Sequence, residues 1–416
     1  MTQPTKRRRL DSQPNVPEDD CAATDPFRPA TMQDKQQWNG FCEIESEPAL
    51  FNVMLREFGV KGVKVQEVIS LDEEMMAFLN KPIYGLIFLF RWREDDPNKQ
   101  EASCPDGLWF ANQTASNSCA SVALLNIVNN IEGVDLGEHL QQFKDFTMPF
   151  TPALRGDAIS NFDFVKRIHN SFARRMDIFN CDLSLKHEAL TRRSNSRKNE
   201  HDDGEPDSGF HFVAFVPALG RVWKFDGLER QPQSLGECTP DTDWLDLVKS
   251  DILKRMAEYE EGRIEFSILS LSKDPLVDSI EQLAINVRSL VMVNQRLSSV
   301  NHDPGICGEH AFTDPLPENT LLEPDASYAL TREAIDEATI PEARLEQYRS
   351  CGPQELFQHR EQLSTAQRGL RAAIRDEQQS NQADDDYAAG RRYDYGPAIR
   401  AWVRLLARKG TMEDLI

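Results

Sequence analysis

Cys119 is the residue most able to do covalent chemistry, because of where its neighbours place it. From Ala120 onward apolar residues recur at 120, 123, 124, 127 and 128, the pattern of a buried helix, and Asn117 or Ser118 is a good N-cap. Cys119 therefore falls in the first turn. There the unpaired N–H groups and the positive end of the helix dipole favour a thiolate. A buried structural cysteine is the plain alternative for any single thiol.

A nucleophile of this kind needs a base, and the chain has eight histidines. His139, His169 and His187 lie in helical or loop segments beside charged residues, and His201 lies in a polar stretch. His302, His310 and His359 lie beyond the globular part. His211 alone sits inside a strong strand pattern, Phe210 to Val216, and the next strand ends at Phe225-Asp226-Gly227. If Pro217 to Gly220 closes a hairpin, Val216 faces Arg221 and His211 faces Asp226. Opposed residues have Cβ atoms about 5 Å apart, so the carboxylate can hold one ring nitrogen and aim the other outward. A one-residue slip would turn the histidine to the other face. Gln113 is a neutral amide six positions before Cys119, able to reach back as an oxyanion donor. Nucleophile, base and orienting acid, in the order Cys, His, Asp, make a cysteine-protease arrangement.

The elements that must position these residues are legible as alternating helix and strand patterns from Trp38 to about Ser272. Pro48 to Phe58 has helical spacing and Gly59 stops it. Tyr84 to Trp92 is a nearly continuous apolar run, suited to a strand buried on both faces, and Phe210 to Val216 and Arg221 to Phe225 are two further strands. This is an α/β or α+β domain. Thr191 to Gly209 carries no apolar residue and reads as a mobile loop just before the histidine strand. After Pro275, residues Ile280, Leu283, Val287, Leu290, Asn294 and Leu297 form a short heptad seam that either folds back or pairs with a partner helix. Residues 331 to 380 are helical with a break at Gly352-Pro353. Pro397 to Lys409 is an amphipathic helix with Ile399, Trp402, Val403 and Leu406 on one face and Arg400, Arg404 and Arg408 on the other. The expected layout is a disordered tail at 1–34, a catalytic domain at 35–272, a heptad helix at 277–300, a linker at 301–330 and a helical extension at 331–416.

Composition narrows the class. The 416 residues hold 47 basic and 68 acidic side chains, a formal charge of −21, which argues against coating nucleic acid and for basic-faced partners. The run Ile83 to Phe90 falls far short of the roughly 20 apolar residues of a membrane helix. Neither a secretion signal nor a Cys-x-x-Cys pair is present among the eight cysteines, so a disulfide framework or structural zinc is not expected, and no cofactor or metal is called for. Lys6-Arg7-Arg8-Arg9 reads equally as a nuclear-import cluster or a solvated basic tail.

The sequence resembles the ubiquitin C-terminal hydrolases, papain-like cysteine deubiquitinases of peptidase family C12. The carrying motifs are Trp38 with Glu45-Ser46-Glu47-Pro48 and Phe51, Phe58 to Val63, Tyr84 to Phe90, Phe110 to Gln113, Asn117 to Ala120, His169 to Arg174, Phe210 to Val213 and Asp226 to Leu228. The resemblance implies a papain-like fold, with a central antiparallel sheet flanked by helices. It also implies Cys119 as nucleophile, His211 as general base and acid, Asp226 as its partner and Gln113 as oxyanion donor. The polar stretch falls where the family has a loop crossing over the active site. Ser121 stands where the family more often has Thr. Arg391 to Ile399 is similar to the long members of the family, whose helical extension binds an activating protein at the proteasome or on chromatin. With six basic residues against one acidic from Arg391 to Lys409, the balance leans to a nuclear role.

The expected activity is that of a thiol-dependent deubiquitinase, ubiquitinyl hydrolase 1, cleaving thioester, amide or isopeptide bonds after the C-terminal glycine of ubiquitin. The alternative is a catalytically latent ubiquitin-binding subunit that needs a partner on its extension. Expected partners are ubiquitin or its conjugates and an activating protein, with no membrane and with nucleic-acid contact confined to the basic C-terminal segment. The expected location is nucleus and cytoplasm.

Overall fold

The computed structural model describes residues 28–93, 95–195, 209–239, 243–259, 266–301, 316–317 and 319–409. The basic cluster at 6–9 and His201, His302 and His310 lie outside the described residues. Of the expected tail at 1–34, residues 1–27 lie outside the described residues and 28–34 are ordered by local contacts. Arg28 pairs with Asp34 at 2.6 Å, and Thr31 caps α1 (Met32–Gln37).

Helix α2 (Pro48–Phe58) has Pro at its start and Gly59 in the left-handed conformation at its end, as its sequence requires. Strand β1 (Val63–Glu67) and the short α3 (Glu73–Met76) lead to β2 (Ile83–Arg91). Helix α4 (Cys119–Val128) is followed by α5 (Gly137–Thr147), α6 (Pro152–Ser160), α7 (Asp163–Asn170) and α8 (Arg175–Asn195). Residues 191–195 thus continue a helix instead of opening the expected loop, and 196–208 lie outside the described residues. The chain returns as β3 (Phe210–Ala218), β4 (Arg221–Asp226), β5 (Gln233–Glu237), α9 (Trp244–Ala257) and β6 (Ser267–Lys273). All neighbours in the six-stranded sheet run antiparallel, in the order β1-β6-β2-β3-β4-β5.

Helices cover both faces of this sheet. Phe212, Ala214 and Val216 of β3 join α2 and α4 in one core, while Val213 and Phe215 join Phe88, Phe90 and α9 residues Val248 and Ile252 in the other. That explains why β2 is apolar on successive positions instead of alternating.

The hairpin between β3 and β4 corrects the expected register. Its loop is two residues, Leu219-Gly220, both at positive φ (52° and 71°), the geometry of a type I′ turn. Val216 therefore faces Trp223, and Asp226 faces Val213, two positions along from His211. An even shift leaves side chains on the same face, so His211 and Asp226 remain neighbours on a diagonal.

Helix α10 (Pro275–Asn301) folds back on the chain's own helices. Leu283, Val287, Leu290, Val293 and Leu297 are buried, against Tyr328, Leu330, Ile335 and Ile374 at one end and Tyr348 and Leu356 at the other. The expected linker is thus partly structured: residues 302–315 lie outside the described residues, but Tyr328 and Leu330 are core. Helices α11 (Arg332–Glu337), α12 (Glu342–Ser350) and the 40-residue α13 (Pro353–Arg392) follow, with the break at Gly352-Pro353 in place. The far end of α13 docks on the first half of the chain. Asp384 accepts from Asn52 at 3.0 Å, Glu377 pairs with Lys64, and Arg392 pairs with Glu57 at 2.7 Å. The last helix, α14 (Gly396–Arg408), keeps Ile399, Trp402 and Val403 exposed.

Candidate active site

Cys119 is the first residue of α4 and is partly exposed. Ser118 occupies the N-cap position without capping: its hydroxyl donates back to the Ala115 carbonyl at 2.8 Å. Asn117 adopts φ 61° and donates to the Cys181 sulfur at 3.4 Å. The turn therefore leaves the first N–H groups of α4 without a side-chain cap from Ser118, next to the thiol.

His211 enters from β3, opposite Phe90 of β2, and is 4% exposed. Its Nε2 lies 2.7 Å from Asp226 Oδ1. With Nε2 engaged, Nδ1 is the nitrogen left to serve Cys119. Burial alone would lower the imidazole pKa, but the Asp226 carboxylate, and after it hydrogen bonding to the Cys119 thiol, raise it to about 9. Burial pushes the Asp226 carboxyl up, and the opposing pull of His211, the Leu228 N–H and Lys224 brings it below the ordinary range. The site thus favours imidazolium against carboxylate, the state that pairs with a thiolate.

Gln113 is held by its own backbone: its N–H donates to the Gly227 carbonyl at 2.7 Å, so the oxyanion candidate is tied to the residue after Asp226. A Cβ on Gly227 would stand 3.1 Å from Gln113 Cβ and N, which is why this close approach takes glycine. Asn112 completes the link, donating to the Glu229 carbonyl at 2.6 Å. On the other side Asn126 of α4 brackets Ala111, accepting from its N–H at 2.8 Å and donating to its carbonyl at 3.2 Å. One turn later Asn130 does the same for Trp109, at 3.0 and 2.7 Å. The Gln113 segment is therefore pinned to α4, which begins at Cys119, on one side and to the Asp226 turn on the other.

Four supporting residues had no role in the sequence reading. Asn126 reads in sequence only as a polar position on a helix. Trp92 donates its indole N–H to Asp226 Oδ2 at 3.3 Å. His169 is fully buried; its Nε2 donates to the Cys42 carbonyl at 2.7 Å, and its Nδ1 accepts from Ser121 on α4 at 2.8 Å. Burial lowers its pKa to about 4, so it is a neutral strut and not a base. Ser121, at the position where a threonine was expected, is thereby engaged. Arg391 of α13 bonds Glu45 at 2.9 Å, Asp177 at 2.8 Å and the Phe172 carbonyl at 2.9 Å. The only sequence signals for the last two were motifs without assigned chemistry.

Cys119 opens on a cavity of about 630 Å³. Glu43, Glu45, Glu67 and Asp177 line it, and among the described residues Arg391 is the one guanidinium on its wall. Among the described residues no group of three or more His, Cys, Asp or Glu side chains is arranged to hold a metal, and no helix is long and apolar enough to cross a membrane.

The profile of "Ubiquitin carboxyl-terminal hydrolase, family 1" matches residues 41–257. Ubiquitin carboxyl-terminal hydrolase isozyme L5 of Dictyostelium discoideum is 35% identical over 266 residues, covering 64% of this chain and 71% of its own. Ubiquitin carboxyl-terminal hydrolase ubh-4 of Caenorhabditis elegans is 36% identical over 257 residues, covering 61% and 73%. Among solved structures, Trichinella spiralis UCH37 bound to ubiquitin vinyl methyl ester is 30% identical with a TM-score of 0.46, covering 58% of this chain and 86% of that one. The chain belongs to the ubiquitin carboxyl-terminal hydrolase family, family 1, and is a deubiquitinating cysteine hydrolase.

Proposed function

We propose that Cys119, His211, Asp226 and Gln113 carry the hydrolysis of thioester, amide and isopeptide bonds after the C-terminal glycine of ubiquitin. His211 Nδ1 takes the Cys119 thiol proton, and the thiolate attacks the scissile carbonyl. The Gln113 side-chain N–H groups and the N-terminal amides of α4 receive the oxyanion. His211 then protonates the leaving amine or thiol and, from the acyl-enzyme, activates water. Asp226 holds the ring and stabilises its charge. The observation that carries this reading is the 2.7 Å bond from Asp226 to the ring nitrogen turned away from a thiol at a helix start. The acidic cavity favours a basic peptide tail over an acidic one.

Reaction with ubiquitin bearing a C-terminal cysteine-reactive group, followed by mapping of the modified peptide, tests it. Labelling at Cys119 is expected, as is loss of turnover in Cys119→Ala with ubiquitin binding retained. Turnover by that variant would remove the mechanism.

The extension supports a second part of the reading. Helix α14 displays Ile399, Trp402 and Val403 to solvent beside Arg400, Arg404 and Arg408, a surface suited to an activating protein in a nuclear or cytoplasmic assembly. Ile399→Asp with Trp402→Asp is expected to abolish capture of that protein while leaving basal turnover of the isolated chain intact.

A further inference from the structure

We infer that Trp92 and Lys224 are positioning residues of the triad, Trp92 by bonding the Asp226 oxygen that His211 does not take and Lys224 by fixing a buried cation on the same face. This rests on the triad reading above and adds to it two residues that touch neither substrate nor thiol.

Trp92 follows directly on β2. Its backbone N–H donates to the Gly209 carbonyl at 3.2 Å, which ties the segment to the start of the histidine strand. Its indole N–H then reaches Asp226 Oδ2 at 3.3 Å. Asp226 Oδ1 already accepts from His211 Nε2 at 2.7 Å and from the Leu228 N–H at 2.9 Å. Without the indole, Oδ2 would lose its side-chain donor in a site where Asp226 is only 4% exposed, and the carboxylate could rotate about its Cβ–Cγ bond.

Lys224 lies two residues before Asp226 on β4, hence on the same face, and is 5% exposed. Asp95 Oδ2 holds its ammonium at 2.6 Å and Asp251 lies at 3.4 Å. The second oxygen of Asp95 takes Arg255, whose other nitrogen reaches Glu258 at 3.1 Å. Arg255 in turn lies over the Phe90 ring at 5.3 Å, and Phe90 is the residue paired with His211 across the sheet. The network therefore meets the triad twice, through Lys224 at the acid and through Phe90 at the base. Glu229 lines the small space beside Lys224 and Asp226 and completes the set of charges facing this side. Buried ion pairs are costly scaffolding, since apolar side chains of equal volume often give equal or greater stability. Here the pairs hold one cation fixed near the carboxylate. Lys224 is among the groups that keep Asp226 ionised.

The test uses the full chain. Wild type and Cys119→Ala are assayed first with a ubiquitin C-terminal fluorogenic amide, so that failure of the triad reading shows before any other variant is made. Trp92→Phe keeps the ring and removes the N–H. It is expected to lower kcat about five- to tenfold with KM within about twofold of wild type. Lys224→Met removes the buried cation beside Asp226, leaving Asp251 unpaired and Asp95 with Arg255 alone, so both Asp226 and His211 bind protons more tightly. The pH–rate profile and the pH profile of Cys119 alkylation by iodoacetamide should both move to higher pH, and Lys224→Arg should restore them. A purely structural role would lower Tm and scale activity equally at every pH. That outcome, or unchanged kcat and profiles in both variants with Cys119 confirmed as nucleophile, overturns the inference.

Discussion

At the scale of single residues, the two histidines buried among the described residues are driven in opposite directions, and the difference shapes how the protein answers to pH. His211 is raised to about 9 against roughly 6.5 in the unfolded chain, so its stabilising contribution is complete below about pH 6.5 and is lost as pH rises through 9. His169 is lowered to about 4, so the unfolded chain takes up its proton first, and stability falls as pH drops from about 6.5 toward 4. Urea unfolding of wild type should therefore show losses on both sides of about pH 6.5. His169→Ala should remove part of the acid loss and cost about 3 kcal/mol at neutral pH, because the Cys42 carbonyl and the Ser121 hydroxyl lose their partner. Gly227→Ala should displace Gln113 by a few tenths of an ångström and lower kcat tenfold or more with little change in KM, as steady-state kinetics would read. The sequence showed His211 and Asp226 through a symmetric hairpin that the fold does not form. The pairing survived because Leu219-Gly220 shifts the register by two, an even number that keeps both side chains on one face. His169 stayed invisible because a histidine inside a polar-looking helix gives no sign that both ring nitrogens will be engaged.

At the scale of elements, helix starts and stops were legible where local chemistry decides them. Proline opens and glycine closes α2, and the apolar period places the beginning of α4 at Cys119. What sequence did not carry was contact at a distance. Asn126 on α4 and Asn130 just past its end clamp residues 111 and 109, so Asn126→Ala should loosen the Gln113 segment. Loss of two buried hydrogen bonds predicts about 2 kcal/mol in thermal or chemical unfolding, with a matching fall in kcat. The heptad reading of α10 was right about the apolar side at Leu283, Val287, Leu290 and Leu297, but the buried position is Val293 and not Asn294. The partner is the antiparallel α13 of the same chain. It accepts a buried polar pair, Asn286 with Gln367 at 3.2 Å, where a symmetric coiled coil would have placed Asn294.

At the scale of the molecule, the extension and the hydrolase body are joined by charge. Arg391 is 8% exposed and satisfies Glu45, Asp177 and a carbonyl at once, so Arg391→Ala takes the shared cation from two carboxylates and the donor from the Phe172 carbonyl. With Glu45 half-exposed, the expected cost is about 1–2 kcal/mol, with earlier proteolysis of the C-terminal helices. The net charge of −21 and the acidic cavity further predict that kcat/KM for a ubiquitin substrate falls several-fold as salt rises from about 0.05 to 0.3 M. None of the long-range ion pairs between α13 and residues 45–64 could be read from a single sequence, because they join positions more than 300 apart. Helix α13 itself has a mechanical character. At 1.5 Å per residue its 40 residues make a rod roughly 60 Å long. One end is gripped by α10 and the other sets a guanidinium into the wall of the Cys119 cavity. A rod clamped at both ends works as a gauge block: its length and its packing on α10 set where Arg391 stands in the cleft wall, so the width of the cleft is fixed in part by contacts far from the thiol.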